Sequence, residues 1–227
     1  MNRPNDDVLE RFVLRHTSLA SAPLVPEIPL HLASDARDIF QARTEFAPSA
    51  DWPPYWAFAW PGGQALARHV LDNAQLVAGK TGLDIGSGSG ISAIAAKRAG
   101  AARVTAADPD PMASLAIGMN ARHNGVEIAV STDDVLSSPP DADLVLIGDL
   151  VYEPELATRV ARFLELARNA GIEVILGDRT TGRRPPLAMT LLEDYAAPLT
   201  PLLEESHFER ARVWRLDPST RQRKATA

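Results

Sequence analysis

The chain has 227 residues, 45% of them hydrophobic and 23% charged, which suits one α/β domain with a real core. A formal net charge of −6 and a pI near 5.4 argue against a general nucleic-acid binder, which needs a basic face. With no cysteine there is neither a disulfide frame nor a thiolate nucleophile; the five histidines show no metal-ligand spacing, and no apolar run is long enough to span a membrane.

Residues 1–50 read as a short N-terminal accessory extension. Val8, Leu9, Phe12 and Val13 have amphipathic-helix spacing over 6–15. Pro23, Pro26 and Pro29 then force an extended run in which Leu24, Val25, Ile28 and Leu30 alternate imperfectly, and residues 36–46 fit a short helix or a loop. The extension is expected to pack on the main domain as a cap, with a substrate arm as the alternative. The opening MNRPNDDVLERF has no apolar signal core and no Arg-rich transit pattern, so a cytoplasmic location is expected.

Three of the four tryptophans fall in DWPPYWAFAWPGG, residues 51–63, ahead of a helix expected at 64–73. Most of these aromatics are read as core. Trp60, beside the Pro-Gly-Gly turn, is expected to border an adenosine pocket.

Residues 81–124 carry the strongest signal. A short apolar strand at 83–85 runs into Gly86-Ser87-Gly88-Ser89-Gly90; a helix follows at 91–98, Gly100 stops it, and a second strand at 103–107 ends at Asp108. Strand, glycine loop, helix, strand and acid make a Rossmann-like unit, with unpaired N–H groups at the helix start and backbone open to a ligand. A nicotinamide fingerprint needs a glycine where Ile91 stands, and Asp84 would repel a pyrophosphate. A ligand with an ammonium group would instead be held by Asp84, at about 1.5–3 kcal/mol for a charge-assisted hydrogen bond. S-adenosylmethionine has that group, and a ribose diol for Asp108. Gly86, Ser87, Gly88, Asp108 and the adjoining Pro109 are therefore assigned to a cofactor site, the alternative being glycines that serve packing alone.

A helix at 110–124 and a third strand at 126–130 follow. Past its end, Asp134 is a candidate acceptor for the adenine amino group, with Val135 against the ring; an Asx turn competes for Asp133. The fourth strand, 142–148, ends at Asp149-Leu150-Val151-Tyr152. A helix at 154–168, a strand at 172–176, a helix at 187–195 and an antiparallel strand pair at 198–203 and 210–216 complete seven strands. The expected fold is α/β: a mostly parallel sheet with an antiparallel last strand, helices on both faces, one domain over 51–216 and a frayed tail over 217–227.

Methyl transfer from a sulfonium needs an in-line nucleophile with a free lone pair. For lysine, with an ordinary pKa of about 10.4, deprotonation at neutral pH costs about 4–5 kcal/mol. Desolvation near the sulfonium lowers that pKa, whereas a carboxylate raises it. Asp149 therefore fits a group that captures and orients the amine and receives its proton, unless it caps the helix that follows. Tyr152 fits a wall of the lysine channel or a partner of the amine.

The stretches PPYWAFAWPGGQALARHVLDN, GLDIGSGSGISAIAAKRAGAARVTAADPDPMASLAIGMNARHNGV and GDLVYEPELA, with weaker support from LVPEIPLHLA and VWRL, resemble the seven-β-strand protein-lysine methyltransferases that carry Asp-x-x-Tyr after the fourth strand. Within them the chain is most similar to the lysine methyltransferases of the electron transfer flavoprotein β-subunit, over most of residues 24–216. The resemblance implies a Rossmann-like seven-stranded methyltransferase, S-adenosyl-L-methionine bound through Asp84, Gly86, Gly88 and Asp108, and flavoprotein lysines served by Asp149 and Tyr152. It implies a protein partner; no nucleic acid, metal or membrane is expected, on the charge, histidine spacing and apolar-run length given above. A monomer is expected, since no apolar surface stripe stands out. Two alternatives stay open: transfer to another protein, such as a ribosomal one, or to a small molecule; and a non-catalytic S-adenosylmethionine-binding protein, against which the pairing of Asp149 with Tyr152 speaks.

Overall fold

The computed structural model describes residues 6–46, 53–151, 154–179, 185–197 and 209–219. In chain order the elements are α1 (Asp6–His16), β1 (Ser18–Ala22), β2 (Val25–Leu32), α2 (Ala36–Phe46), α3 (Pro61–Asp72), β3 (Thr81–Ile85), α4 (Ile91–Arg98), β4 (Arg103–Ala107), α5 (Pro111–His123), β5 (Ala129–Ser131), β6 (Leu144–Gly148), α6 (Pro154–Ala170), β7 (Glu173–Arg179), β8 (Met189–Ala197) and β9 (Glu209–Leu216).

Seven strands form one sheet in the order β5-β4-β3-β6-β7-β9-β8. The run from β5 to β7 is parallel throughout, and β9 is antiparallel to both of its neighbours. The sheet has the expected architecture. Its middle strand β6 shows why: LVLIG is apolar at every side-chain position because both faces are covered. Leu144 and Leu146 pack with α3 and α4, whereas Val145 and Ile147 pack against Val160, Phe163 and Leu164 of α6. The winding direction reverses between β3 and β6, so the strand ends part there and leave a crevice at their carboxyl edge.

The glycines of the Pro-Gly-Gly turn bring α3 unusually close to this edge. A Cβ on Gly62 would lie 2.6 Å from the Gly177 carbonyl oxygen and 2.7 Å from both carboxylate oxygens of Asp149, and a Cβ on Gly148 would lie 3.0 Å from Gly63 Cα. Only glycine permits this backbone-to-backbone approach. It seats the N-terminus of α3 directly against the ends of β6 and β7.

Residues 6–46 pack on α5. Phe12 and Val13 of α1 and Ile39 of α2 share a core with Met112, Ala116 and Met119. The proline-rich run is an antiparallel hairpin, β1 with β2, separate from the main sheet.

Two expectations are corrected at the C-terminal end. Residues 187–195 do not form a helix; Met189–Ala197 is strand β8, paired antiparallel with β9. It thus takes the place expected for a strand at 198–203, a stretch that lies outside the described residues, as do Tyr152, Trp52 and residues 220–227 of the tail. The third strand is also shorter than expected, Ala129–Ser131. Among the described residues no helix is long and apolar enough to cross a membrane.

Candidate active site

The loop between β3 and α4 is a run of tight backbone. Gly86, Gly88 and Gly90 all have positive φ, at 63°, 53° and 82°. The N–H groups of Gly86 and Ser87 both donate to the Ala107 carbonyl, at 2.9 and 3.2 Å, which ties the loop to the end of β4. Asp108 completes the link. Its Oδ2 accepts from the Gly88 N–H at 2.9 Å, and its Oδ1 from the Asp110 N–H at 3.0 Å. Burial raises the Asp108 pKa, opposed by these two N–H groups.

Asp84 and Ser87 are not brought to the cavity wall. They lie buried behind the loop, where Ser87 Oγ donates to Asp84 Oδ2 at 2.5 Å. Burial pushes the Asp84 carboxyl up to about 7, against the Ser87 hydroxyl and the Ala93 N–H, with nearby Asp108 raising it further.

At the carboxyl edge of the sheet the crevice opens into a cavity of about 450 Å³. Of the residues expected from sequence, Trp60, Gly86, Gly88, Asp108, Pro109, Asp134, Val135 and Asp149 line it. Asp134 is exposed, accepts from the Leu136 N–H at 3.2 Å, and pairs with Arg159 of α6 at 2.6 Å. Trp60 donates from Nε1 to the Tyr55 carbonyl at 2.9 Å, and the Arg179 guanidinium lies 5.6 Å from its ring centroid, within cation–π range.

Asp149 is the only described non-glycine residue with positive φ, at 48°. Its Oδ2 accepts from the N–H groups of Gly62 at 2.5 Å and Gly63 at 3.1 Å, so among the described residues the helix it caps is α3. Its own N–H donates to the Gly177 carbonyl at 2.9 Å. Desolvation raises the carboxyl to about 6. Arg179 and the Gly63 and Gly62 N–H groups oppose that shift, and Asp178 adds to it.

Tyr55, Asp110, Leu150, Arg159 and Arg179 also line the cavity and were not anticipated. Arg179 could have been found, because it stands at the carboxyl end of a strand, where ligands meet sheets of this kind. Arg159 carries no such signal: it lies within a helix, and it meets the cavity and Asp134 through the packing of α6.

The cavity admits an adenosyl ligand. Gly88, with φ of 53°, turns the loop along the cavity wall without a side chain to fill it. Asp108 has lone pairs beyond the two it uses, and Val135 and Leu136 provide an apolar face. Fold and site together define a class I S-adenosylmethionine-dependent methyltransferase. The family model described as ribosomal protein L11 methyltransferase (PrmA) matches residues 65–162. The electron transfer flavoprotein beta subunit lysine methyltransferase of Danio rerio is 40% identical over 178 residues, 77% of this chain and 68% of that protein. The Mus musculus protein of the same name is 34% identical over 221 residues, covering 94% and 86%. The structure of a proposed RNA methyltransferase from Pyrococcus horikoshii shares the fold, with a TM-score of 0.54 at 16% identity over 74% of this chain and 90% of that one. The chain belongs to the electron transfer flavoprotein beta subunit lysine methyltransferase family and is an S-adenosylmethionine-dependent protein-lysine methyltransferase.

Proposed function

We propose that the acceptor is lysine on the electron transfer flavoprotein β-subunit, with Asp149 and Tyr152 serving the amine. The observation that supports this is the placement of Asp149: half-buried on the cavity wall and fixed by two backbone N–H groups of α3. The names of the relatives supply the substrate.

When bound, S-adenosylmethionine supplies an electrophilic methyl group on a sulfonium sulfur. Asp108 accepts from the ribose hydroxyls while its other lone pairs keep hold of Gly88. Gly86, Ser87, Gly88 and Pro109 shape the backbone around the ligand, and Asp84 lends negative charge to its ammonium end from behind the loop. Val135 covers the adenine, and Asp134, steadied by Arg159, accepts from the adenine amino group. Trp60 closes the cavity on the Asp149 side. Asp149 orients the acceptor amine, and with a pKa near 6 it takes up a proton more readily than an ordinary carboxylate does. Around this site, residues 1–50 serve as an accessory segment to a domain over 51–216 that ends in a tail over 217–227, in a monomeric cytoplasmic enzyme.

The substrate is tested by incubating the full chain with labelled S-adenosylmethionine and purified electron transfer flavoprotein, and locating the label by mass spectrometry. Label on lysines of the β-subunit is expected. An unlabelled flavoprotein, with label appearing instead on a ribosomal or other protein in extract, would overturn the substrate while leaving the reaction standing.

A further inference from the structure

The reaction leaves one buried pair unexplained. Arg43 of α2 and Asp110 at the start of α5 are 67 residues apart in sequence, and their side chains are 8% and 5% exposed. Arg43 Nη2 donates to Asp110 Oδ1 at 3.0 Å, and Arg43 Nη1 lies against Met112 Sδ. The same Oδ1 accepts from the Met112 N–H at 2.9 Å and so caps α5. A buried ion pair is weak evidence for stability, because apolar residues of equal volume commonly serve as well. What distinguishes this pair is where Asp110 stands. It lines the cavity, and its N–H holds Asp108 Oδ1.

We infer that Arg43, in the N-terminal segment, is a positioning residue for the cofactor site: it neutralises Asp110 so that Asp110 can hold Asp108 toward the ligand. This rests on the cavity being the S-adenosylmethionine site. A continuous polar chain runs from Arg43 through Asp110 and Asp108 to the Gly88 N–H of the glycine loop. Burial already raises the Asp110 pKa, and Arg43 opposes that shift. Asp110 in turn acts on Asp108 as a like charge. Without Arg43 the carboxylate is buried beside a second one with its charge uncompensated. It must take a proton or swing away, and the N–H that fixes Asp108 moves with it. Asp110 Oδ2 has no hydrogen-bond partner among the described residues, so this carboxylate is already incompletely satisfied before the ion pair is lost.

The test is calorimetric binding of S-adenosylmethionine to the full chain as wild type, Arg43→Gln, Arg43→Lys and the double variant Arg43→Gln/Asp110→Asn. Arg43→Gln should weaken binding about 10-fold or more, whereas Arg43→Lys, which keeps the charge, should stay within about 3-fold of wild type. The double variant should recover most of the loss, because asparagine still caps Met112 and carries no charge to compensate. In Arg43→Gln and Arg43→Lys the turnover rate at saturating cofactor should remain within about 2-fold, since neither change touches a residue that lines the cavity. Wild-type affinity in Arg43→Gln, or equal weakening in the single and double variants, would overturn the role of Arg43 while leaving the cavity reading intact. If Arg43→Gln does not fold, Arg43→Lys and the double variant decide: near-normal binding in both supports the role, and weak binding in either overturns it. A wild-type chain that binds no cofactor would overturn the cavity reading and this inference together.

Discussion

Asp84 and Asp108 are both carboxylates beside the glycine loop, yet they do different work. Asp108 reaches the cavity, so Asp108→Ala should weaken S-adenosylmethionine binding by about 1–3 kcal/mol, and unchanged affinity by calorimetry would remove it from the site. Asp84 is buried, and its folded-state pKa of about 7 stands above the ordinary 3.8. The folded chain therefore binds this proton more tightly than the unfolded chain does. The stability contribution is complete below about pH 4 and is lost as pH rises through 7. In ligand-free enzyme the melting temperature of Asp84→Asn should gain on that of wild type as pH goes from 4 to 8, by an amount corresponding to at most about 4 kcal/mol. Parallel profiles would mean that Asp84 is not held in a desolvated place. The order of these residues along the chain, and the acid at each strand end, were legible in the sequence. Which of the two carboxylates faces the ligand was not, because that depends on how the Ser87 hydroxyl folds back over Asp84.

At the scale of elements, the approach of α3 to β6 and β7 organises the Asp149 end of the cavity. Gly62→Ala would place its Cβ 2.6 Å from the Gly177 carbonyl oxygen and 2.7 Å from the Asp149 carboxylate, and neither is the end of a freely moving chain. A loss of about 1–3 kcal/mol is expected in chemical denaturation, together with a fall in transfer. Full stability would show that the backbones can part. The Pro-Gly-Gly motif was visible as a helix start, but its partner Gly177, more than a hundred residues away, was not. The mistaken helix at 187–195 has a local cause. β8 carries a register shift between Leu191 and Glu193, so strict alternation breaks there. Leu192 and Tyr195, three residues apart, both pack on the core while Leu191 is exposed, which imitates helical spacing. The strand β1, SLASA, is short and made of small residues, and offered no pattern before β2 paired with it.

Across the whole molecule, the N-terminal segment and the methyltransferase sheet meet on α5. Asn120 is fully buried there. Its Oδ1 accepts from the His31 N–H of β2 at 2.7 Å, and its Nδ2 donates to the Ser89 carbonyl of the glycine loop at 2.8 Å. Asn120→Ala strands two backbone groups at once, one part-buried and one buried, and a loss of about 2–6 kcal/mol in denaturation is expected, taking about 1–3 kcal/mol for each. A loss under about 0.5 kcal/mol would show that water or a local shift replaces both bonds. In the proposed function the cavity divides into a cofactor side governed by Asp108 and an acceptor side governed by Asp149. Asp149→Asn tests it most directly, because asparagine keeps an oxygen for the Gly62 and Gly63 N–H groups and removes only the charge. In one preparation, S-adenosylmethionine affinity and single-turnover methyl transfer to lysine would be measured together. Affinity within about 3-fold of wild type with transfer reduced at least about 100-fold is the expected result. Transfer near the wild-type rate would contradict the account of the acceptor side.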